Sequence, residues 1–318
     1  MNKILVVGSV AYDSIQTPTE KNDHLLGGSA NYFSLSASLL SSVQVVGVVG
    51  TDYADKDFQL LRDRGVDLKG LQTMEGETFK WKGKYENAMN EAVTLDTRLN
   101  VFESFNPVIP DEYKTSEFLF LANIDPDLQL KVLEQVEAPK LVGADTMNFW
   151  IESKKDSLLK LIAKLNILTI NEQEARMLTG EYNINKVIRS LAAMGPEYVV
   201  VKRGEYGFMA YQSSTDELFV MPAYPVQNLV DPTGAGDTFA GGVFGYLASL
   251  KEWNFEDVKA ACVHGCVTAS FTVEGMGVSG VQKLSLDQIY SRTKDYLKII
   301  HVGPGVKNLS ALSTANRV

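Results

Sequence analysis

The chain has 318 residues, a mass of 35.0 kDa and a formal net charge of −9, from 30 Lys and Arg against 39 Asp and Glu. With 45% hydrophobic and 22% charged residues it has the composition of a globular protein, which excludes a wholly disordered chain, a collagen and a disulfide scaffold. The acidic balance argues against a sequence-independent grip on nucleic acid or on an anionic membrane. It leaves room for a phosphate held locally by backbone amides.

The N-terminal run ILVVG (4–8) reads as a buried strand, too short for a signal peptide or a membrane span. Similar runs follow at VQVVGVVG (43–50), EFLFLAN (117–123), KLVGAD (140–145), LNILTIN (165–171) and YVVVKRG (198–204). Segments with apolar residues at helical spacing lie between them, among them NYFSLSASLL, DPDLQLKVLEQV and INKVIRSLAAMG. Strand-helix alternation of this kind predicts an α/β fold with a mostly parallel sheet covered on both faces. Ligands of such sheets bind beyond the carboxyl ends of the strands, so function is expected just after these runs.

Residues 77–102 break the alternation. Phe79, Trp81 and Tyr85 share one parity, and Lys80, Lys82 and Lys84 the other. That period of two predicts an exposed antiparallel strand, with ENAMNE (86–91) turning into a second one. The pair reads as a flap, or else as an aromatic stripe packed on the core or on a second subunit. Cys262 and Cys266 flank His264 on a helix-like stretch and read as buried thiols rather than metal ligands. Two cysteines in a chain of this length suggest a reducing, cytoplasmic setting.

The segment NLVDPTGAGDTFAGGVFGYLASL (228–250) carries the most chemistry. Gly234, Ala235 and Gly236 let backbone N–H groups converge on an anion, and the helix that follows adds the positive end of its dipole. Asp237 stands where a phosphate would sit. A carboxylate there is an N-terminal helix residue, or a base that takes a proton from an attacking hydroxyl.

The string DPTGAGDTFAGG resembles the C-terminal motif of the ribokinase-like (PfkB) carbohydrate kinases. Gly27 and Gly28 in GGSANYF resemble that family's Gly-Gly substrate motif, and VGVVGTDYADKDFQLLRDRGVDLKGL its following stretch. Asn171 and Glu174 match its Asn-x-x-Glu, and Gly204 and Gly207 in KRGEYG its nucleotide loop. The likeness runs over roughly residues 1–300 in the family's order. It implies a single Rossmann-like domain over 1–302 with a β-lid from about 12–19 and 75–104, ahead of a poorly ordered tail at 303–318.

The resemblance also implies a sugar kinase that moves a phosphoryl group from ATP, with Mg2+, to an alcohol. Asp237 is then the base, and the backbone of 234–237 the anion hole. The acceptor is expected against Asp13, Gly27, Gly28, Asn31, Tyr32 and Trp81. Asn171, Lys202, Gly204, Gly207, Thr233 and Gly265 are expected on the nucleotide side, with Glu174 holding Mg2+ through water. A monovalent cation such as K+ near Asp231 and Thr233, and a homodimer paired through the lid, are further family features. Asp145 and Asn148, after a strand, and Lys202 or Arg203, at the ligand edge, are weighed as site residues against ordinary surface roles. One position departs from the pattern: GGxxxN puts an asparagine where this chain has Tyr32, with Asn31 one place earlier. That puts the sugar in doubt, so a nucleoside acceptor stands as the alternative. A catalytically silent binding protein on the same fold is a remote third reading.

Overall fold

The computed structural model describes residues 2–86 and 89–301. Its strands, in chain order, are β1 (Lys3–Val7), β2 (Ala11–Gln16), β3 (Lys21–Gly27), β4 (Ser42–Gly50), β5 (Asp67–Met74), β6 (Phe79–Tyr85), β7 (Ala92–Arg98), β8 (Phe118–Leu121), β9 (Leu141–Ala144), β10 (Ile167–Asn171), β11 (Tyr198–Lys202), β12 (Phe208–Gln212) and β13 (Glu217–Met221). Nine of them form one sheet in the order β13-β12-β11-β10-β9-β8-β1-β4-β5. Pairing is parallel from β11 to β5, and only β12 is reversed, pairing antiparallel with both β11 and the edge strand β13.

Alternation along the central strands sends side chains into two separate cores. Ile4 and Val6 of β1 and Phe118 and Phe120 of β8 point to one face, and Leu5, Val7, Leu119 and Leu121 to the other. Helices Ser29–Ala37, Ala235–Ser249 and Phe255–Thr272 cover the first face; Pro126–Leu133, Lys155–Ile162, Glu172–Thr179 and Ile184–Ala192 cover the second. The mostly parallel α/β sheet read from the alternation is therefore present. Strand order reverses at β1, whose neighbours are β4 and β8, so a crevice opens beyond the carboxyl ends of the central strands.

The remaining strands form a second sheet, β3-β2-β6-β7, in which only the central pair β2 and β6 is parallel. Strand β3 is one the sequence reading did not assign. Its text, KNDHLLG, lacks the apolar alternation that marks a half-buried strand. The turn expected at ENAMNE includes residues 87 and 88, and the tail expected at 303–318 begins past the last of the described residues. No helix among the described residues is long and apolar enough to cross a membrane.

Helix Ala235–Ser249 packs unusually close to its neighbours. A Cβ on Gly241 would lie 2.3 Å from the Phe33 carbonyl oxygen, and one on Gly242 would lie 2.7 Å from Gly265 Cα. This helix begins at the GAGD segment, and Ser29–Ala37 begins at Gly28, so their spacing sets the spacing of the two motifs. Gly241→Ala should push these helices apart, at a cost of about 1–3 kcal/mol. A lower midpoint in urea together with a lower kcat is the expected result; unchanged kcat would detach helix spacing from the chemistry.

Candidate active site

The GAGD segment opens helix Ala235–Ser249. Gly234, at φ 73°, caps it, and the first intrahelical bond runs from the Thr238 amide to the Gly234 carbonyl at 2.8 Å. The Ala235 amide donates to the Pro232 carbonyl at 3.2 Å, which leaves the Gly236 and Asp237 amides as the orphan donors of the helix start. Lys202, at the end of β11, faces them: a Cβ on Gly236 would lie 3.0 Å from its Nζ. Backbone dipole and ammonium thus converge on one spot at the cleft.

Lys202 is anchored from the opposite side. Its Nζ donates to Asp145 Oδ2 at 2.5 Å, and both side chains are largely buried. Asp145 follows β9, so two parallel strands present the pair at their carboxyl ends. Glu174 sits in the same group. It forms a capping box with Asn171: Asn171 Oδ1 accepts from the Glu174 amide at 2.8 Å, and Glu174 Oε2 accepts from the Asn171 amide at 3.2 Å. Burial and the charge of Asp145 push the Glu174 carboxyl well above the ordinary range. Burial, then Asp145, likewise raises Asp237 to about 7, with Lys202 pulling the other way. That value suits a base working near neutrality.

No group of three His, Cys, Asp or Glu among the described residues is arranged to hold a metal directly. A cluster of Asp145, Glu174 and Asp237 around one lysine nonetheless carries excess negative charge. It fits a divalent cation held through water and phosphate oxygens.

Several residues expected against the acceptor stand on the second sheet, the lid. Asp13 of β2 pairs in register with Leu25 on one side and Trp81 on the other. Cross-strand partners share a face, so a carboxylate stands between two apolar side chains. Trp81 leans over Gly83, where a Cβ would meet its Cη2 at 2.0 Å, and its Nε1 donates to Thr94 Oγ1 at 3.2 Å. Ile15, Tyr85 and Met89 complete the apolar cluster, with Leu25, Trp81 and Met276 against it. Phe79, of the same parity, stacks instead on Phe102 with centroids 5.3 Å apart. The aromatic stripe thus divides: Phe79 anchors the lid, and Trp81 and Tyr85 join the cluster beneath it.

Asp13 is 4% exposed, and Gly27 makes room for it, since a Cβ there would lie 1.9 Å from Asp13 Oδ2. Burial, then the charges of Asp231 and Asp237, pushes the Asp13 carboxyl up to about 8. Gly28 has φ 90°, and its Cβ would meet the Ser9 carbonyl at 2.5 Å, so only glycine fits this turn. Asn31 is fully buried, and its Nδ2 is spent on the Gly27 carbonyl at 2.7 Å. Tyr32 lies flat beneath the GAGD segment: a Cβ on Gly234 would be 2.4 Å from its Cγ, Cδ1 and Cδ2.

Lid and body meet at this site. Thr233 Oγ1 donates to the Tyr85 hydroxyl oxygen at 3.1 Å, and Asn90 Nδ2 donates to Glu205 Oε1 at 3.3 Å. Glu205 lies in the turn between Gly204 and Gly207 that joins β11 to β12, so the lid reaches the expected nucleotide loop. Arg203 pairs with Glu172 at 2.6 Å. Asp231 accepts amides from Thr233 and Gly277, each at 2.9 Å, so both oxygens already clamp loops. Gly265, expected on the nucleotide side, stands at a helix crossing, where its Cβ would lie 2.5 Å from the Phe239 carbonyl. Sequence reasoning also passed over Ile15 and Leu25. Ile15 was legible two places from Asp13 on a strand; Leu25 had no such signal.

The pattern of the pfkB family carbohydrate kinases matches residues 1–283. The chain belongs to that family. It is an ATP-dependent phosphotransferase, and ATP with Mg2+ is typical of such kinases. A cytidine kinase of Thermococcus kodakarensis is 31% identical over 247 residues, which is 76% of this chain and 87% of that one. The crystal structure of the Methanocaldococcus jannaschii nucleoside kinase superposes with a TM-score of 0.74 at 22% identity, covering 93% of this chain and 99% of that one. A ribokinase-like protein of E. coli in complex with ATP and Mg2+ gives 0.77 at 19% identity, covering 93% and 100%.

Two outcomes follow for this kinase. With Asp237 near 7, kcat should fall as pH drops below about 7, where the carboxylate takes up its proton. Asp145→Asn removes a repulsion and should move that acid limb to lower pH, and Asp237→Asn should cut kcat by about 10²-fold or more. A pH-rate series on the three proteins checks both. The second outcome concerns Asp13, whose proton is held more tightly in the folded chain than in the unfolded one. Wild-type stability should therefore fall as pH rises from about 4, the ordinary carboxyl value, towards the raised one. Asp13→Asn should melt higher than wild type, by a margin that grows across that window, while acceptor turnover is lost. Melting curves at pH 5, 7 and 9 test it; a margin independent of pH would contradict the raised value.

Proposed function

We propose that this kinase transfers the γ-phosphoryl group of ATP to the primary hydroxyl of a nucleoside. The row Leu25–Asp13–Trp81 across the underside of the lid carries this reading. A carboxylate suits the ribose hydroxyls, and the apolar wall of Ile15, Leu25, Trp81 and Tyr85 suits the flat face of a base. A free sugar, the acceptor class favoured from the sequence, would leave that wall without a partner. The 31% identity to a cytidine kinase supports the same choice.

Asp237 accepts the proton of the acceptor hydroxyl. That oxygen bonds to the γ-phosphorus as the bond to the β-phosphate oxygen breaks and ADP leaves. The Gly236 and Asp237 amides and the Lys202 ammonium hold the equatorial oxygens as they cross, which is where such catalysis gains most. Asn171 and Glu174 would hold Mg2+ through water, and that ion supplies neutralising charge on the phosphates. Gly204 and Gly207 line the nucleotide side. A homodimer through the lid would pair the outer strand β7, whose Val93 and Leu95 are 52% and 50% exposed.

ATP consumption across a panel of nucleosides, free sugars and phosphosugars tests the acceptor class. Nucleosides should turn over with the highest kcat/KM; exclusive turnover of sugars would overturn the reading. With the acceptor known, Trp81→Ala should remove stacking of about 1–3 kcal/mol. That loss should raise the acceptor KM and leave the KM for ATP unchanged. Unchanged kinetics would return Trp81 to a packing role.

A further inference from the structure

Gln129, in the middle of helix Pro126–Leu133, is 1% exposed. A side chain on a helix leans back toward the helix N-terminus, and here that direction leads over the end of β8. Its Nε2 donates to the Leu121 and Ala122 carbonyls, each at 3.0 Å, and to the Asp145 carbonyl at 3.2 Å. Three carbonyls around one atom fix which end of the amide faces them, since only the amino end donates. The Oε1 atom has no partner among the described residues, a cost that an apolar side chain of similar size would avoid. What this position supplies is therefore a donor and not only volume.

The three carbonyls lie where the ladder between β8 and β9 stops. Its last pair is Leu121 with Ala144, and the Asp145 amide still bonds to the Leu121 carbonyl at 3.1 Å. Past that point the ladder gives way to Gln129. Asp145 is thus held at its backbone, and its carboxylate is held as well: Oδ1 accepts the Thr146 amide at 3.0 Å, and Oδ2 accepts the Lys202 ammonium at 2.5 Å. The Lys202 and Asp145 side chains are 15% and 7% exposed. A buried ammonium follows its carboxylate, because parting them would leave two bare charges out of water. Where Asp145 stands therefore decides where Lys202 Nζ stands, 3.0 Å from the place a Cβ on Gly236 would take.

We propose that Gln129 is a positioning residue of the phosphoryl-transfer step: by holding the ends of β8 and β9 together it sets Asp145, and through Asp145 the Lys202 ammonium, against the Gly236 and Asp237 amides. This rests on the reading above that the ammonium and these amides hold the phosphoryl oxygens as they cross. Gln129 acts at one remove, so its loss misplaces the charge without deleting it. A shift of about 1 Å at such a group can cost about 10²-fold in rate, and a slackened Asp145 should cost about tenfold.

The test is a double-mutant cycle on the full chain: wild type, Gln129→Met, Lys202→Met and both together. Met keeps the length of Gln and lacks its donor. Each protein is read for kcat, acceptor KM and melting temperature, with whichever compound of the panel above wild type turns over best. Lys202→Met should lower kcat by about 10²-fold. Gln129→Met should lower it by about tenfold, with the acceptor KM unchanged. In the Lys202→Met background the Gln129 substitution should lower kcat no further, while still lowering the melting temperature. A structural role alone would reproduce the lower melting temperature but not the dependence of the kcat loss on Lys202. If Gln129→Met does not fold, the same pattern is expected of Gln129→Asn, which keeps the amide but is too short to reach all three carbonyls. Equal kcat losses in the two backgrounds overturn the proposal, and so does a loss that falls on the acceptor KM instead of kcat. A lower kcat in Lys202→Met with none in the Gln129 variant overturns it while leaving the reading of the ammonium intact. Wild-type kcat in Lys202→Met overturns that reading itself, and the proposal with it.

Discussion

Five carboxyl groups and one ammonium crowd the cleft, and this imbalance governs the rest of the structure. Asp13, Asp145, Glu174, Asp231 and Asp237 are all partly or wholly withdrawn from water, and Asp145, Glu174 and Asp237 gather around Lys202. Burial, then repulsion from neighbouring acids of the group, raises Asp13, Glu174 and Asp237 above the ordinary carboxyl range, and burial raises Asp231. Such a site is poorly satisfied when empty. The ligands proposed for it would each answer one part of that imbalance: phosphates the amides and the ammonium, a cation the acids, hydroxyls Asp13.

Holding like charges together requires a rigid frame. The frame here is a set of close helix approaches that only glycine allows, at Gly241 and Gly242 against Phe33 and Gly265. Strands β9, β10 and β11 are parallel neighbours, so Asp145, Asn171 and Lys202 end side by side without any long loop to position them. Backbone geometry fixes the charges.

Much of this was legible in the sequence, and the reasons differ by element. Parallel strands buried on both faces are continuous apolar runs, so β1, β4, β8, β10 and β11 stand out. The GAGD string is a local motif whose amides and acid act within one turn, so its geometry follows from its text. Strand β3 was not legible because half of it faces solvent and its pattern is polar. The Lys202–Asp145 pair joins residues 57 positions apart, and no local pattern reports such a contact. Gly265 carries a packing signal the text does not report: its lack of a side chain lets two helices cross closely.

The two catalytic-cleft acids Asp13 and Asp237 stand on different mechanical bodies. Asp237 opens a helix bedded in the main sheet, whereas Asp13 lies within β2, bonded on both sides into the lid. The lid strands β2 and β3 join the body through the short connections Val7–Ala11 and Gly27–Ser29. Any movement of the lid sheet as a unit would carry Asp13 with it. If Asp13 takes the acceptor as proposed, gripping it and shutting the lid would be one degree of freedom, and a molecule that Asp13 does not grip would leave the two acids unaligned.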